Sequence, residues 1–431
     1  MILQQHHNHG RLDLEAVEMA LRSSLHQVGA VALGQWLQCR PPGPDERQQP
    51  CPCGQLALYR ELRSRRILTA LGEVEIRRPY YLCPHCHQGQ FPFDVQLDMV
   101  NQGLSPGVRR MLAVVGAEAP FDQGREQMHL LAGLSVTTKA VERTAETVGA
   151  DIAAGEQKQI QQAMQQELPM AMGQSIPVLY VEMDGTGVPV TKTERAALGK
   201  IEGSPARTRE VKLGCVFTQT TYDEEGFPIR DPDSTTYTGA IEAADAFGKR
   251  LYAEAQSRGW DRAQQKVVLA DGADWIWNLA DLHFPGAIQI VDLFHARQHL
   301  WELARALYPD NEAQQRQWIL RHQPKLDDGK IENLVRYLRS LEASSPQLAE
   351  TLRRAADYFQ RNAERMRYPE FRRRHLFVGS GVIEAGCKTV IGSRLKQSGM
   401  FWTVRGANAI IALRCCRLNA RFEDYWEARS A

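Results

Sequence analysis

Residues 178–187 read VLYVEMDGTG. The stretch Val178–Met183 is apolar apart from one acid, the pattern of a strand buried on both faces. It nevertheless carries Glu182 and Asp184 before it meets Gly185. Taking a carboxylate out of water costs on the order of several kcal/mol unless a partner compensates. A strand of this kind therefore needs something that its acids can hold.

The chain around it alternates strand and helix patterns. Candidate strands at 178–184, 211–219 and 233–238 are followed by a helix over 241–258. Next come KVVLADGADW, a short apolar strand ending at Asp271, another helix, and AIQIVDLFHA, a strand ending near Asp292. Three hairpin-like strands and then β-helix-β-helix imply a mixed sheet with helices on its faces. Residues 293–376 read as helical, and the chain closes on GSGVIEAGCKTVIGSRLKQSGMFW and a final helix. If the first strand lies beside the first parallel one, Asp184 and Asp271 become neighbours. Like charges so close are tolerable when a cation lies between them. Glu384, just after Gly379 and Gly381, is the natural third ligand for octahedral Mg²⁺. Any one of these acids alone reads as a turn residue or a surface charge; three of them in the order strand, strand, helix carry the argument.

The front of the chain is different. Residues 11–40 have helical spacing, RPPGPDERQQP is a breaker-rich linker, and 51–93 are β-like with a turn at Gly72. CPCG supplies Cys51 and Cys53, and YYLCPHCHQG supplies Cys83 and Cys86. Paired thiolates in tight turns suit tetrahedral structural zinc, with His85 or His87 as possible substitutes for one ligand. The remaining cysteines, Cys39, Cys215, Cys387, Cys415 and Cys416, read as ordinary buried residues. An odd total of nine, with four in close pairs, fits a reducing compartment better than a disulfide framework. Residues 105–150 give three helices, the second and third joined by AGLSVT, as in a helix-turn-helix or a plain three-helix bundle. In the former, Ser135 or Thr137 caps the recognition helix, and Thr138, Lys139 and Arg143 face a DNA groove.

A chain of 431 residues exceeds one ordinary core, so two or three domains are expected. No apolar run is long enough for a membrane span, and the polar start MILQQHHNHG is no signal peptide. A net charge of +1 says nothing for nucleic acid, but residues 353–374 are strongly basic.

Together, MDGTGVPV, VVLADGADW, IVDLFHARQHL and GVIEAGCKTVIGSRLKQSGMFW resemble the DDE transposases of bacterial insertion sequences, specifically the ISKra group. The resemblance spans most of the chain, cysteine-rich front included. It implies an α/β (multi-domain α+β) architecture: an RNase H-like mixed-sheet core with an all-helical insertion, preceded by a zinc-binding β module and a helix-turn-helix-like domain. The expected segments are 1–45 (helical), 46–100 (zinc module), 101–170 (helix-turn-helix-like), 171–298 and 377–431 (core), and 299–376 (insertion). Asp184, Asp271 and Glu384 match the family's catalytic acids, which hold two Mg²⁺ or Mn²⁺ ions. Asp292 and His295 match the Asp-x-x-His signature shared with Mutator-like transposases, and Glu182 lies behind the ligands. Lys388, Arg394 and Lys396 are candidates for phosphate contact and Trp402 for base stacking. The implied partners are transposon-end and target DNA with a second copy of the chain, in the bacterial cytoplasm at the nucleoid. The alternatives are a non-catalytic zinc-containing DNA-binding regulator and an RNase H-like nuclease that joins no strands.

Overall fold

The computed structural model describes residues 7–8, 11–166, 173–196 and 208–430, so most of the polar start and the end of the 101–170 segment fall outside it. The protein is a mixed α/β chain dividing into two compact units, Met1–Thr147 and Val148–Ala431. The boundary lies inside the long helix Thr138–Met164. Among the described residues no helix is long and apolar enough to cross a membrane.

In the first unit, α1 (Leu14–Trp36) begins at Asp13, whose side chain accepts the Ala16 amide at 3.1 Å. A four-stranded antiparallel sheet follows: β1 (Gln48–Pro50), β2 (Leu56–Thr69), β3 (Gly72–Leu82) and β4 (Gly89–Gln90). The β2–β3 hairpin turns at Gly72, as its sequence predicts. One face of α1 packs on it through Ala30, Leu33 and Leu37, against Ile67, Val74 and Ile76. Asp94 bridges Arg65 and Arg78, both at 2.6 Å, and fastens the turn Pro92–Gln96 beneath the hairpin. Helices α2 (Pro106–Glu118), α3 (Phe121–Ala132) and the start of α4 (Thr138–Met164) share a core of Val108, Leu112, Met128, Leu134 and Val141.

The second unit is built on a five-stranded mixed sheet. Its strands are β5 (Ile176–Pro189), β6 (Thr208–Gln219), β7 (Thr236–Ala240), β8 (Ala263–Ala270) and β9 (Ile288–Val291), in spatial order β7-β6-β5-β8-β9. The first three are antiparallel neighbours; β8 runs parallel to both β5 and β9. The sequence places a strand end at Gly185, but β5 continues to Pro189, because β6 pairs with it residue by residue through Asp184 and Gly185. Helix α5 (Ala244–Ser257) precedes β8, and α6 (Asp274–His283) joins β8 to β9. After β9 the chain is helical: α7 (Leu293–Leu307), α8 (Glu312–Asp327), α9 (Ile331–Arg339), α10 (Pro346–Arg361) and α11 (Tyr368–Arg373). It returns to the sheet in α12 (Gly381–Gly386), passes through a π-helical turn at Cys387–Gly392, and ends in α13 (Val404–Leu418) and α14 (Phe422–Ser430).

Within this unit the end of α4 lies on α13 with no room to spare. A Cβ at Gly149 would sit 2.0 Å from the Ala409 carbonyl oxygen, a backbone atom that cannot step aside. Gly149→Ala is therefore expected to lower unfolding stability by about 3 kcal/mol or more, read as a fall in the denaturant midpoint at unchanged slope.

Candidate functional site

Two clusters with metal-ligand chemistry stand out, one in each unit. In the first, Cys51 and Cys53 precede β2, and Cys83 and Cys86 follow β3. Each thiol pair sits on a tight turn closed by a left-handed residue, Gly54 (φ 83°) in one and His87 (φ 57°) in the other. The sulfurs of Cys51 and Cys86 are 3.5 Å apart and those of Cys53 and Cys83 3.7 Å. All four lie within 4.8 Å of one another. A zinc tetrahedron with bonds of about 2.3 Å has sulfur–sulfur edges of about 3.8 Å, so these residues fit the ion. The quartet is complete without His85 or His87. The Cys86 and His85 amides pull the Cys83 thiol down, whereas burial and the neighbouring thiols push Cys86 up, so Cys83 is the first of the two to become a thiolate. Four thiolates would leave an ion no open position, so a metal held by this cluster would be structural.

The second cluster is made by strand register. In the parallel ladders Leu269 pairs with Glu182 and Ala270 with Val291. Carrying both ladders on to Asp271 sets it level with Asp184 on one side and Asp292 on the other. Three aspartates thus stand in a row across three adjacent strands, Asp184 within β5 and Asp271 and Asp292 just past the ends of β8 and β9, about 5 Å from one strand to the next. Asp184 Oδ1 accepts the Gly185 amide at 2.6 Å, and Oδ2 accepts the Cys387 thiol at 3.5 Å. Burial pushes the Asp184 carboxyl up, and the charge of Asp271 adds to the effect. Asp271 Oδ1 accepts the Ala273 amide at 3.0 Å. The next residue, Gly272, has φ 101°, and a Cβ there would meet Tyr358 Oη at 2.7 Å. Tyr358, from α10, donates to the Asp271 carbonyl at 3.3 Å, so the helical segment covers this turn.

Glu384 lies in the first turn of α12, as its sequence predicts. Buried side chains from the sheet hold that helix in place. Glu182, wholly buried, accepts the Ile383 amide on Oε2 at 2.9 Å, while its Oε1 has no partner. Tyr180 Oη accepts the Phe377 amide at 3.2 Å. Asp292 Oδ2 accepts both the amide and the hydroxyl of Ser380, and its Oδ1 accepts the His295 amide at 2.7 Å. Burial works to raise Asp292, but the donors from His295 and Ser380 outweigh it and hold the carboxyl below its usual range.

The ligand atoms that come within 4.8 Å of one another here belong to Asp292, His295 and Glu384. Asp184 and Asp271 stand beside that trio without closing with Glu384 to the same spacing. His295 Nδ1 is 3.4 Å from Asp292 Oδ1. Asp292 raises the imidazole above its ordinary value, and Asp271 and Glu384 add to the effect. All five groups therefore share one electrostatic field.

The supporting residues divide on burial. Arg394 is wholly buried with its guanidinium 5.0 Å from the Trp402 ring, so it is a core residue and not a DNA contact. Trp402 is buried too, its Nε1 donating to the Leu395 carbonyl at 3.0 Å, and it has no free face for a base. Lys396 and Lys388 are exposed, and Lys396 Nζ bonds Thr186 Oγ1, two residues beyond Asp184. Lys139 and Arg143 are exposed on α4, with Lys139 2.7 Å from Glu142. Thr137 caps α4 through the Ala140 amide at 3.1 Å, whereas Thr138 is held by Asp122 at 2.8 Å. Cys387, read as an ordinary buried cysteine, is instead a neutral thiol pushed up to about 12 by burial and by the Asp184 that it bonds. Its place one turn after Glu384 was the available signal. No protein-family model matches this chain, and no curated protein matches it either.

Two outcomes follow from these sites. The purified chain should carry one zinc at the Cys51–Cys86 cluster by metal analysis, and Cys83→Ser should lose it together with hairpin stability. Glu182 is pushed up to about 8 by burial, so the folded chain keeps a proton that the unfolded chain sheds near 4.3. Its stabilising contribution is complete below about pH 4 and lost as pH rises through 8. Glu182→Gln should flatten that decline in a pH series of denaturant melts.

Proposed function

We propose that the protein is a DDE-type DNA transposase with an RNase H-like core. The observation that carries this reading is the row of Asp184, Asp271 and Asp292 across three adjacent strands, faced by Glu384 on a pinned helix. Three antiparallel strands followed by two parallel ones, the first strand central beside the fourth, support the core assignment. So does the run of helices from Leu293 to Arg373 between the fifth strand and the Glu384 helix.

Asp184, Asp271 and Glu384 would hold the Mg²⁺ or Mn²⁺. The bound cation supplies Lewis acidity to a phosphodiester, easing attack by water or a DNA 3′-hydroxyl. The chain's own groups do the rest. Asp292 spends its lone pairs on His295 and Ser380 and so orients the site. His295, kept basic by the surrounding acids, can hold a proton where a departing oxygen needs one. Lys396, bonded to Thr186 of β5, and Lys388, one turn after Glu384, would take phosphate charge. The helix pair α3–α4 reads as a helix-turn-helix, with Lys139 and Arg143 toward the DNA. The same site would first free a 3′-hydroxyl at the transposon end and then join it to target DNA.

Incubation with end-containing DNA and Mg²⁺ or Mn²⁺, with each cut mapped to the nucleotide, tests this. Asp184→Asn should lower cleavage by about a hundredfold or more while leaving DNA binding intact. Normal cutting by that variant overturns the assignment. Specific binding without metal-dependent nicking favours a regulator, and nicking without joining favours a nuclease.

A further inference from the structure

Helix α1 packs one apolar face on the hairpin and leaves most of its other apolar side chains exposed, Met19 and Val31 among them, with Val17 buried. Ala30, Leu33 and Leu37 pack on the hairpin, whereas Leu14, Leu21, Leu25, Val28 and Trp36 point away from it and stay open. Leu14 is 64% exposed, Leu25 70% and Trp36 85%. Monomeric surfaces seldom string together large apolar side chains in this way.

We propose that this stripe is a self-association surface on which a second copy of the chain packs its own α1 antiparallel. The first argument is spacing. Residues 14, 21, 25, 28, 32 and 36 follow one another at intervals of three, four or seven, the seam that two helices bury between them. The second is symmetry. Leu14 and Trp36 each lie eleven residues from Leu25, Glu18 and Ala32 each lie seven, and Leu21 and Val28 lie four and three. A two-fold axis through Leu25 therefore sets Leu14 of one copy against Trp36 of the other, and Glu18 against the small Ala32. This is the self-complementarity that an isologous interface requires. The third is area. Over a helix of about 35 Å, the open side chains present on the order of 700 Å² per copy, close to what each partner buries in a stable dimer. Leu130 and Leu131, also exposed, extend the patch, since Arg22 of α1 bonds both of their carbonyls.

The inference stands apart from the chemistry proposed above and is tested without DNA. Light scattering on the full chain should give twice the mass of one chain. The double variant Leu21→Glu/Leu25→Glu should weaken the dimer by at least about tenfold, with far-UV circular dichroism and zinc content unchanged. Mild oxidation of Leu25→Cys should link two chains, whereas Gln27→Cys, off the stripe, should not. Leu14→Cys should link to Trp36→Cys in a mixture and not to itself. A single-chain mass for the unmodified protein overturns the proposal, as does a dimer that survives both glutamates. Should the glutamate variant misfold, the cross-links decide: Gln27→Cys linking as readily as Leu25→Cys also overturns it.

Discussion

The second unit depends on how buried side chains of the sheet grip a segment that returns to it from 88 to 201 residues later in the chain. Leu293 donates to the Val378 carbonyl at 2.9 Å, and Tyr180, Asp292 and Glu182 take the amides of Phe377, Ser380 and Ile383 in turn. Each of the three side-chain grips uses a main-chain amide at or before the first turn of α12, where a helix has no partners of its own to offer. The bonds to the charged Asp292 contribute about 1.5–3 kcal/mol each, and those to the neutral Tyr180 and the protonated Glu182 about 0.5–1.5 kcal/mol each. Together they fix where Glu384 stands relative to β5 and β8, and without them the helical run from Leu293 to Arg373 could return the chain in other registers.

The opening problem, two acids on one greasy strand, thus has two answers. Asp184 lies where the strand reaches the edge of the core, and its carboxyl faces Asp271 and the other acids. Glu182, two residues earlier and wholly buried, is an acceptor for the Ile383 amide. It tolerates burial by keeping its proton, since desolvation lifts it to about 8. On the proposed reading one acid serves a cation, while its neighbour stays neutral and holds the scaffold.

What was legible in the sequence follows the range of the interactions involved. The cysteine quartet was readable because each pair sits in its own turn and a single hairpin brings the pairs together. The strands and the place of Glu384 at a helix start were readable from apolar runs and flanking glycines. The length of β5 was not, because its continuation past Gly185 is decided by pairing with β6. Nor was the different fate of Glu182 and Asp184, since periodicity puts them on one face and only the returning α12 separates them in depth. Asp292 and His295 were flagged through a resemblance; their closeness to Glu384 is a matter of tertiary structure.

Positive charge shows the same division and bears on how such a chain would meet DNA. Lys396 and Arg394 are two residues apart, yet one is exposed beside Thr186 and the other lies in the core under Trp402. The basic run at 353–374 is not a bare cationic face. Arg353 and Arg354 pair with Glu350, Arg361 with Asp274, and Arg367 with Glu332 and Glu364. Exposed pairs of this kind are worth about 1 kcal/mol or less, so a phosphate backbone can compete for the same guanidinium groups. Binding by partner exchange neutralises phosphates while setting carboxylates free, and it yields less net attraction than an unpaired lysine would. On the proposed reading, Lys388 and Lys396 beside the acids therefore carry more of the phosphate contact than the longer arginine run, although the run dominates the sequence.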